Sequence, residues 1–167
     1  LEGIELGKKL FFDPILSVDS TKACASCHNF QFAFTDPNTF SKGVAGFTRR
    51  NSMPLMNVAW MPALFWDGRA ESLEAQALLP VEDKVEMGET WENVIEKLKR
   101  HPAYPDLFKQ AFGDVPITSD LAVKAIAQFE RTLISANAKW DRIQARQATF
   151  TPQEKQGFDI FSSEKSE

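Results

Sequence analysis

At 167 residues the chain has the size of one ordinary domain, and 43% hydrophobic with 25% charged residues is a globular composition that excludes long disorder. A net charge of −4 argues against nucleic acid as a partner, and a slightly acidic rim suits a basic redox protein. No run approaches the ~18 apolar residues of a membrane span, and no basic segment leads into an apolar one, so a removed leader or an excised piece is expected.

In chain order, residues 5–12 (Glu-Leu-Gly-Lys-Lys-Leu-Phe-Phe) set apolar side chains at helical spacing, and Asp13-Pro14 stops the helix. A polar turn over 17–21 leads into Cys24-Ala25-Ser26-Cys27-His28. Asn29, Phe30, Phe32 and Phe34 follow, then Asp36-Pro37-Asn38, Gly43 and Gly46, a composition that predicts a loop. Pro54 and Pro62 keep residues 55–64 irregular. A turn at Phe65-Trp66-Asp67-Gly68-Arg69 precedes a short helix over 70–77, which Pro80 is expected to end, and a charged loop over 81–88. Thr90 caps a helix to about Arg100 with Trp91, Val94, Ile95 and Leu98 on one face. Pro105 opens another through Phe112, and Ser119 caps a helix over 120–134 that buries Leu121, Ala125, Ile126, Phe129 and Leu133. Pro152 starts a final helix ending near Phe161. No period-2 strand of any length is visible, so the expected fold class is all-α with long loops.

Two thiols three residues apart, with an imidazole directly after the second, form the attachment pattern of a c-type haem. On one helical turn both sulfurs reach the two vinyl-derived carbons on one porphyrin edge, and the next side chain falls under the iron as proximal ligand. A thioredoxin-like pair uses the same Cys-x-x-Cys but wants a βαβ context that is missing around it. Zinc takes about four ligands, whereas the chain holds two cysteines and two histidines in all. Cys24, Cys27 and His28 are therefore read as haem-binding, with His28 on the iron. Fourteen Phe and four Trp against one Tyr suit a dry wrapper for the group and an ordinary Phe-rich core equally. Covalent haem attachment normally takes place outside the bacterial cytoplasm, so a periplasmic location is expected.

His101, after Lys97, Lys99 and Arg100, reads as a cation at a helix C-terminus. Met53, Met56, Met61 and Met87 are alternative sixth ligands of the kind electron-transfer cytochromes use, Met87 foremost. One internal echo stands out: Gly7-Lys8-Lys9-Leu10-Phe11 returns as Gly157-Phe158-Asp159-Ile160-Phe161, and the sequence stops just short of where a second Cys-x-x-Cys-His would fall. The expected organisation is a haem domain over 1–150, with 151–167 starting the connection to a second, absent haem domain.

Leu6-Gly7-Lys8-Lys9-Leu10-Phe11-Phe12-Asp13-Pro14, the haem motif, Arg50-Asn51-Ser52, Phe65-Trp66-Asp67-Gly68-Arg69-Ala70 and Val85-Glu86-Met87 together resemble, in order and spacing, the bacterial di-haem cytochrome c peroxidases and their MauG-like relatives. The likeness runs over nearly the whole chain and covers the N-terminal, peroxide-reacting domain of that family. It implies a cytochrome c-like haem domain reducing hydrogen peroxide to water at an open-sided haem c, with electrons from a second haem. The alternatives are a MauG-like enzyme oxidising protein side chains and a plain electron-transfer cytochrome c. It further implies Glu86 as the distal acid/base, Gln76 beside it, Trp66 on the electron route between haems, and Asn51 at a calcium ion shared with the missing domain. Implied partners are that C-terminal haem domain and a small electron donor, a cytochrome c or cupredoxin; a homodimer is a further expectation. Arg49 and Arg50 would pair with haem propionates. One departure is informative. Many members carry a histidine seven residues before the Arg of Arg-Asn-Ser that caps the iron until the partner haem is reduced. Here that position is Gly43, and no histidine occurs in 42–49. A haem open without reductive activation is expected.

Overall fold

The computed structural model describes residues 1–163. Two compact units divide the chain, Leu1–Ile134 and Ser135–Glu167. Eight α-helices occur among the described residues: α1 (Glu2–Phe12), α2 (Cys24–Cys27), α3 (Leu73–Glu82), α4 (Trp91–Arg100), α5 (Tyr104–Phe112), α6 (Ser119–Glu130), α7 (Lys139–Gln144) and α8 (Pro152–Phe161). The only β-pairing among these residues is three isolated bridges, so the all-α expectation holds.

The first unit is built on the crossing of α1 and α6. Gly3, Leu6, Gly7, Leu10 and Phe11 form one buried stripe of α1, the i, i+3, i+4, i+7 pattern of a helix with one apolar face. It lies on the small-residue face of α6, where Ala122, Ala125 and Ala127 are buried. Contact is so close that a Cβ on Gly7 would sit 1.8 Å from the Ala125 carbonyl oxygen. Phe11 carries this packing towards the motif: its ring lies 5.2 Å from Phe129, 6.0 Å from Phe34 and 6.5 Å from the His28 imidazole, centroid to centroid.

Around that pair, α5 is tied to the end of α1 by Tyr104, fully buried, whose hydroxyl donates to Asp13 Oδ2 at 2.8 Å. Lys97 on α4 donates to the Ser17 carbonyl at 2.7 Å and pairs with the buried Glu89. A bidentate pair, Arg131 Nη1 and Nη2 to Glu74 Oε1 and Oε2 at 2.7 and 3.0 Å, bridges α3 and the end of α6.

Three helix boundaries differ from expectation for identifiable reasons. The third helix starts at its Ser72 cap, which accepts from Ala75 N–H, and runs through Pro80 to Glu82. A proline has no N–H to give the Gln76 carbonyl, yet burial of Val81 and the Asp83 N–H bond to Leu79 carry the helix one turn further. Trp91 Nε1 adds a bond to the Leu78 carbonyl. Packing overrides propensity there. Helix α6 is capped by Thr118 rather than Ser119, and ends at Glu130 rather than 134. Thr132 captures the Phe129 carbonyl through both its N–H and its hydroxyl, which closes a tight turn. Helix α1 begins at Glu2, three residues before the periodic run suggests.

In the second unit, α7 is a short helix for which the sequence gives no periodic signal; Asp141 accepts the Ala138 N–H at its start. Thr151 and Glu154 cap α8 reciprocally. Trp140, Phe150 and Phe158 form its apolar cluster, with centroids 5.2–6.0 Å apart. The last four residues of the sequence lie outside the described residues, so the expected connection over 151–167 is described only as far as 163. No helix among the described residues is long and apolar enough to cross a membrane.

Candidate haem site

Helix α2 is one turn long and consists of the Cys-x-x-Cys segment itself, with Ser26 Oγ accepting the Ala23 N–H at its start. Both cysteines are free. Burial pushes the Cys24 thiol up to about 12, and Glu130 adds to the rise. The Cys27 thiol is also raised, first by burial; a hydrogen bond with Ser41 opposes this, and Glu86 and Asp36 add to it. Reactive dithiols have depressed values. Both are raised here instead, which is not the pattern of a thioredoxin-like pair.

His28 follows as the residue closing α2. Its Nδ1 lies 2.9 Å from the Phe34 carbonyl. A carbonyl only accepts, so Nδ1 carries the proton in that bond, the tautomer whose Nε2 can ligate a metal. Burial lowers the imidazole's pKa, opposed by the carbonyls of Phe34 and Met53 and by Asp36, and this favours the neutral form that binds a metal. The chain takes on strain to place that carbonyl. Ala33 and Phe34 are consecutive non-glycine residues in the left-handed region, φ +56° and +58°, at roughly 1 kcal/mol each. The turn is held by Phe34 N–H to the Asn29 carbonyl and by Asn29 N–H to the Thr35 carbonyl. Two thiols on one helical turn, then an imidazole oriented through Nδ1, fit a c-type haem.

Glu86 lies in the loop between α3 and α4, half-buried. Burial raises its carboxyl above the ordinary carboxylate range, Asp83 adds to the rise, and Arg69 opposes it. The Glu86 main chain is fixed on both sides: the Val44 N–H donates to its carbonyl at 3.0 Å, and its own N–H donates to Asp83 Oδ1 at 3.1 Å. Arg69 is itself held by Asp67, at 2.8 Å, and stacks on the Phe65 ring at 3.5 Å. Arg50 pairs with the same Asp67 at 3.1 Å. Gln76 is half-buried on α3, four residues before Pro80, so its main-chain carbonyl lacks its usual helical donor.

Trp66 is largely exposed, and its Nε1 donates to the Asn51 carbonyl at 2.8 Å. The Asn51 amide donates to the carbonyls of Asp36 and Asn38 at 3.0 and 2.7 Å, and its Oδ1 accepts from Thr35 at 3.1 Å. It thus staples two loop strands together. No group of three or more His, Cys, Asp or Glu is placed to hold a metal ion among the described residues. His101 does close α4, but its Nδ1 accepts from Ala103 N–H at 3.2 Å, a bond that an imidazolium cannot accept, so the cation expected there is not what the structure shows. Met87 is buried in the core.

Residues 1–149 match the family described as di-haem cytochrome c peroxidase. The chain belongs to that family. It is 40% identical over 164 residues to the methylamine utilization protein MauG of Methylorubrum extorquens, covering 96% of this chain and 46% of that protein. It is 37% identical over 159 residues to the cytochrome c551 peroxidase of Nitrosomonas europaea, covering 94% and 48%. Among solved structures, a MauG-like protein associated with microbial copper homeostasis superposes with a TM-score of 0.92 at 32% identity, over 99% of this chain and 50% of that one. The chain spans about half the length of these relatives, and its all-helical architecture is that of the di-haem peroxidases.

Sequence reasoning passed over one buried acidic residue of this peroxidase-family chain. Glu130 ends α6 with 5% exposure, and its Oε2 has no hydrogen-bond partner. The signal was available: it falls four residues after Ile126 on the buried stripe of the helix. Burial pushes its carboxyl up to about 8, Arg131 pulling it down and Glu74 adding to the rise. The native state therefore keeps a proton that the unfolded chain releases near its ordinary value, and stability falls as pH rises from there to about 8, then levels. Glu130→Gln is expected to abolish that slope, which is worth on the order of a few kcal/mol. Thermal melts at pH 5, 7 and 9 check it; identical slopes in variant and wild type contradict it.

Proposed function

We propose that this chain is the peroxide-reacting half of a di-haem cytochrome c peroxidase, reducing hydrogen peroxide to two waters with two electrons and two protons. Cys24 and Cys27 would hold the haem, and His28 would ligate its iron through Nε2. The group supplies the redox chemistry when bound. What the chain would add is a fixed ligand and a proton carrier, with no histidine in 42–49 to cap the iron. Glu86 would be that carrier: a carboxylate within hydrogen-bond reach of the peroxide, directly or through one water, would take a proton from one oxygen and return it to the other. A raised pKa keeps the protonated form accessible for the return step. Gln76 would stand beside it as a second polar partner. Trp66 would carry electrons between haems, its indole N–H fixed on the Asn51 carbonyl. Calcium would bind at Asn51 with the remaining ligands from the second haem domain. A small donor protein, a cytochrome c or cupredoxin, would supply electrons in the periplasm.

The observation that carries the proposal is the family match over residues 1–149 together with a half-buried Glu86 whose main chain is fixed by Val44 and Asp83. Stopped-flow mixing of the haem-loaded ferric chain with peroxide tests it. A rapid single-turnover change of the Soret band is expected, with poor steady-state turnover because the sequence holds one Cys-x-x-Cys-His. A haem that ignores peroxide overturns the proposal and returns the chain to electron transfer. The absence of histidine from 42–49 favours a second reading, a MauG-like oxidation of protein side chains. Oxidised residues on a partner protein after peroxide addition would select it.

A further inference from the structure

Residues 41–48 form a closed turn. Gly43 N–H donates to the Gly46 carbonyl at 2.8 Å, Thr48 N–H to the Ser41 carbonyl at 2.9 Å, and Ser41 N–H to Thr48 Oγ1 at 3.0 Å. Its base is anchored by Ser41, fully buried, whose hydroxyl lies 2.8 Å from that of Ser52. Its tip is fastened to the Glu86 segment: Val44 N–H donates to the Glu86 carbonyl at 3.0 Å, and Ala45 N–H to the Val85 carbonyl at 3.2 Å. From the other side Asp83 Oδ1 accepts the N–H groups of Val85 and Glu86 at 2.8 and 3.1 Å. Both main-chain polar groups of Glu86 are thus engaged, and only its side chain is left to rotate.

The approach depends on one missing side chain. A Cβ on Gly43 would lie 1.9 Å from the Val85 carbonyl oxygen, 2.7 Å from its carbon and 2.8 Å from Glu86 Cα. These are backbone atoms, which no rotamer change can move aside. Gly43 does not have the left-handed backbone that favours glycine, so space rather than conformation excludes larger residues.

We propose, taking Glu86 as the proton carrier assigned above, that Gly43 is a positioning residue: its lack of a side chain lets the 41–48 turn clamp the Val85-Glu86 backbone and so fixes the place and solvent exposure of the Glu86 carboxyl. A methyl at 43 drives the two segments apart by more than an ordinary van der Waals contact allows. Water then reaches Glu86, the burial that raises its pKa is relieved, and Asp83 and Arg69 remain as its charged neighbours.

The test uses the haem-loaded chain and Gly43→Ala, with Lys42→Ala as a control in the same turn. Infrared titration follows the protonated-carboxyl band, assigned to Glu86 by its loss in Glu86→Gln. In Gly43→Ala the midpoint is expected to move down towards the ordinary carboxylate value, and the acid limb of the peroxide reaction to move with it, with a rate loss of about tenfold or more. Lys42→Ala should leave both unchanged. A folded Gly43→Ala whose titration superimposes on wild type overturns the proposal. Should that variant fail to fold, amide hydrogen exchange of the wild type decides: the Val44 and Ala45 amides are expected to be strongly protected, and unprotected exchange at both refutes the clamp. Loss of the proton-carrier role alone reads differently: Glu86→Gln would keep full peroxide reactivity while Gly43→Ala still shifted the Glu86 titration.

Discussion

Glu86→Gln should slow the reaction of the haem-loaded chain with peroxide by roughly two to four powers of ten, the usual contribution of a positioned acid/base group. Glutamine preserves the size of the side chain and can still hydrogen-bond, but it cannot take a proton from one oxygen and return it to another. The pH dependence sharpens the test. Burial and Asp83 raise the Glu86 pKa, so in the wild type the carboxylate is lost at a higher pH than for an ordinary glutamate. The wild-type rate is therefore expected to fall on acidification through that raised value, and the variant to be slow and flat across the same range. The α3–α4 loop is held by main-chain bonds and by Asp83, not by the Glu86 carboxyl, so fold and haem attachment should survive. Stopped-flow rates between pH 4 and 8 measure both effects. Unchanged peroxide reactivity in the variant would remove Glu86 from the chemistry.

Gly7→Ala should destabilise the first unit by about 2–3 kcal/mol or more, a drop in melting temperature of roughly 5–12 °C for a chain of this size. In an exposed helix interior the same change stabilises by about 0.5–1 kcal/mol. The sign reverses here because the new methyl would lie 1.8 Å from the Ala125 carbonyl oxygen and 2.4 Å from its carbon, inside the backbone of α6. Relief requires the helices to separate, which loosens Leu6, Leu10 and Phe11 together, and Phe11 packs near His28. Gly157 supplies the control. It holds the equivalent place in the repeated Gly-x-x-aliphatic-Phe pattern, but nothing lies within 4 Å of a Cβ built there. Gly157→Ala should be neutral or stabilising. Denaturant melts of both variants suffice, and a Gly7→Ala chain as stable as wild type would mean that the two helices do not touch backbone to backbone.

The comparison of Gly7 with Gly157 also shows what sequence can and cannot carry. Periodicity located α1, α4 and α6 because each buries one face at helical spacing, Pro105 and Pro152 marked the first turns of α5 and α8, and caps such as Thr90 are written in the residue type. It failed where long-range packing outweighs local preference: α3 runs through Pro80 because Val81 is buried, and α6 stops early because Thr132 captures a carbonyl. The haem motif is local chemistry and was legible in full. The orientation of His28 was not, since it depends on two residues in left-handed conformations that no propensity favours. Glu86 was found only through resemblance, as its surroundings in sequence read as a solvated acidic loop; its burial comes from chain far away, including the turn at Gly43. Glu130 was missed because a charged letter at a helix end suggests solvent, whereas its place on the stripe of Ile126 puts it inside.

The central claim is an iron ligated by His28 on one face and left open on the other. Electron paramagnetic resonance of the ferric haem-loaded chain tests it most directly. A high-spin signal that converts to low-spin on adding a small strong-field ligand is the expected result. A purely low-spin spectrum, unchanged by added ligand, would mean that a second side chain such as Met87 already occupies the open face, and would contradict the claim.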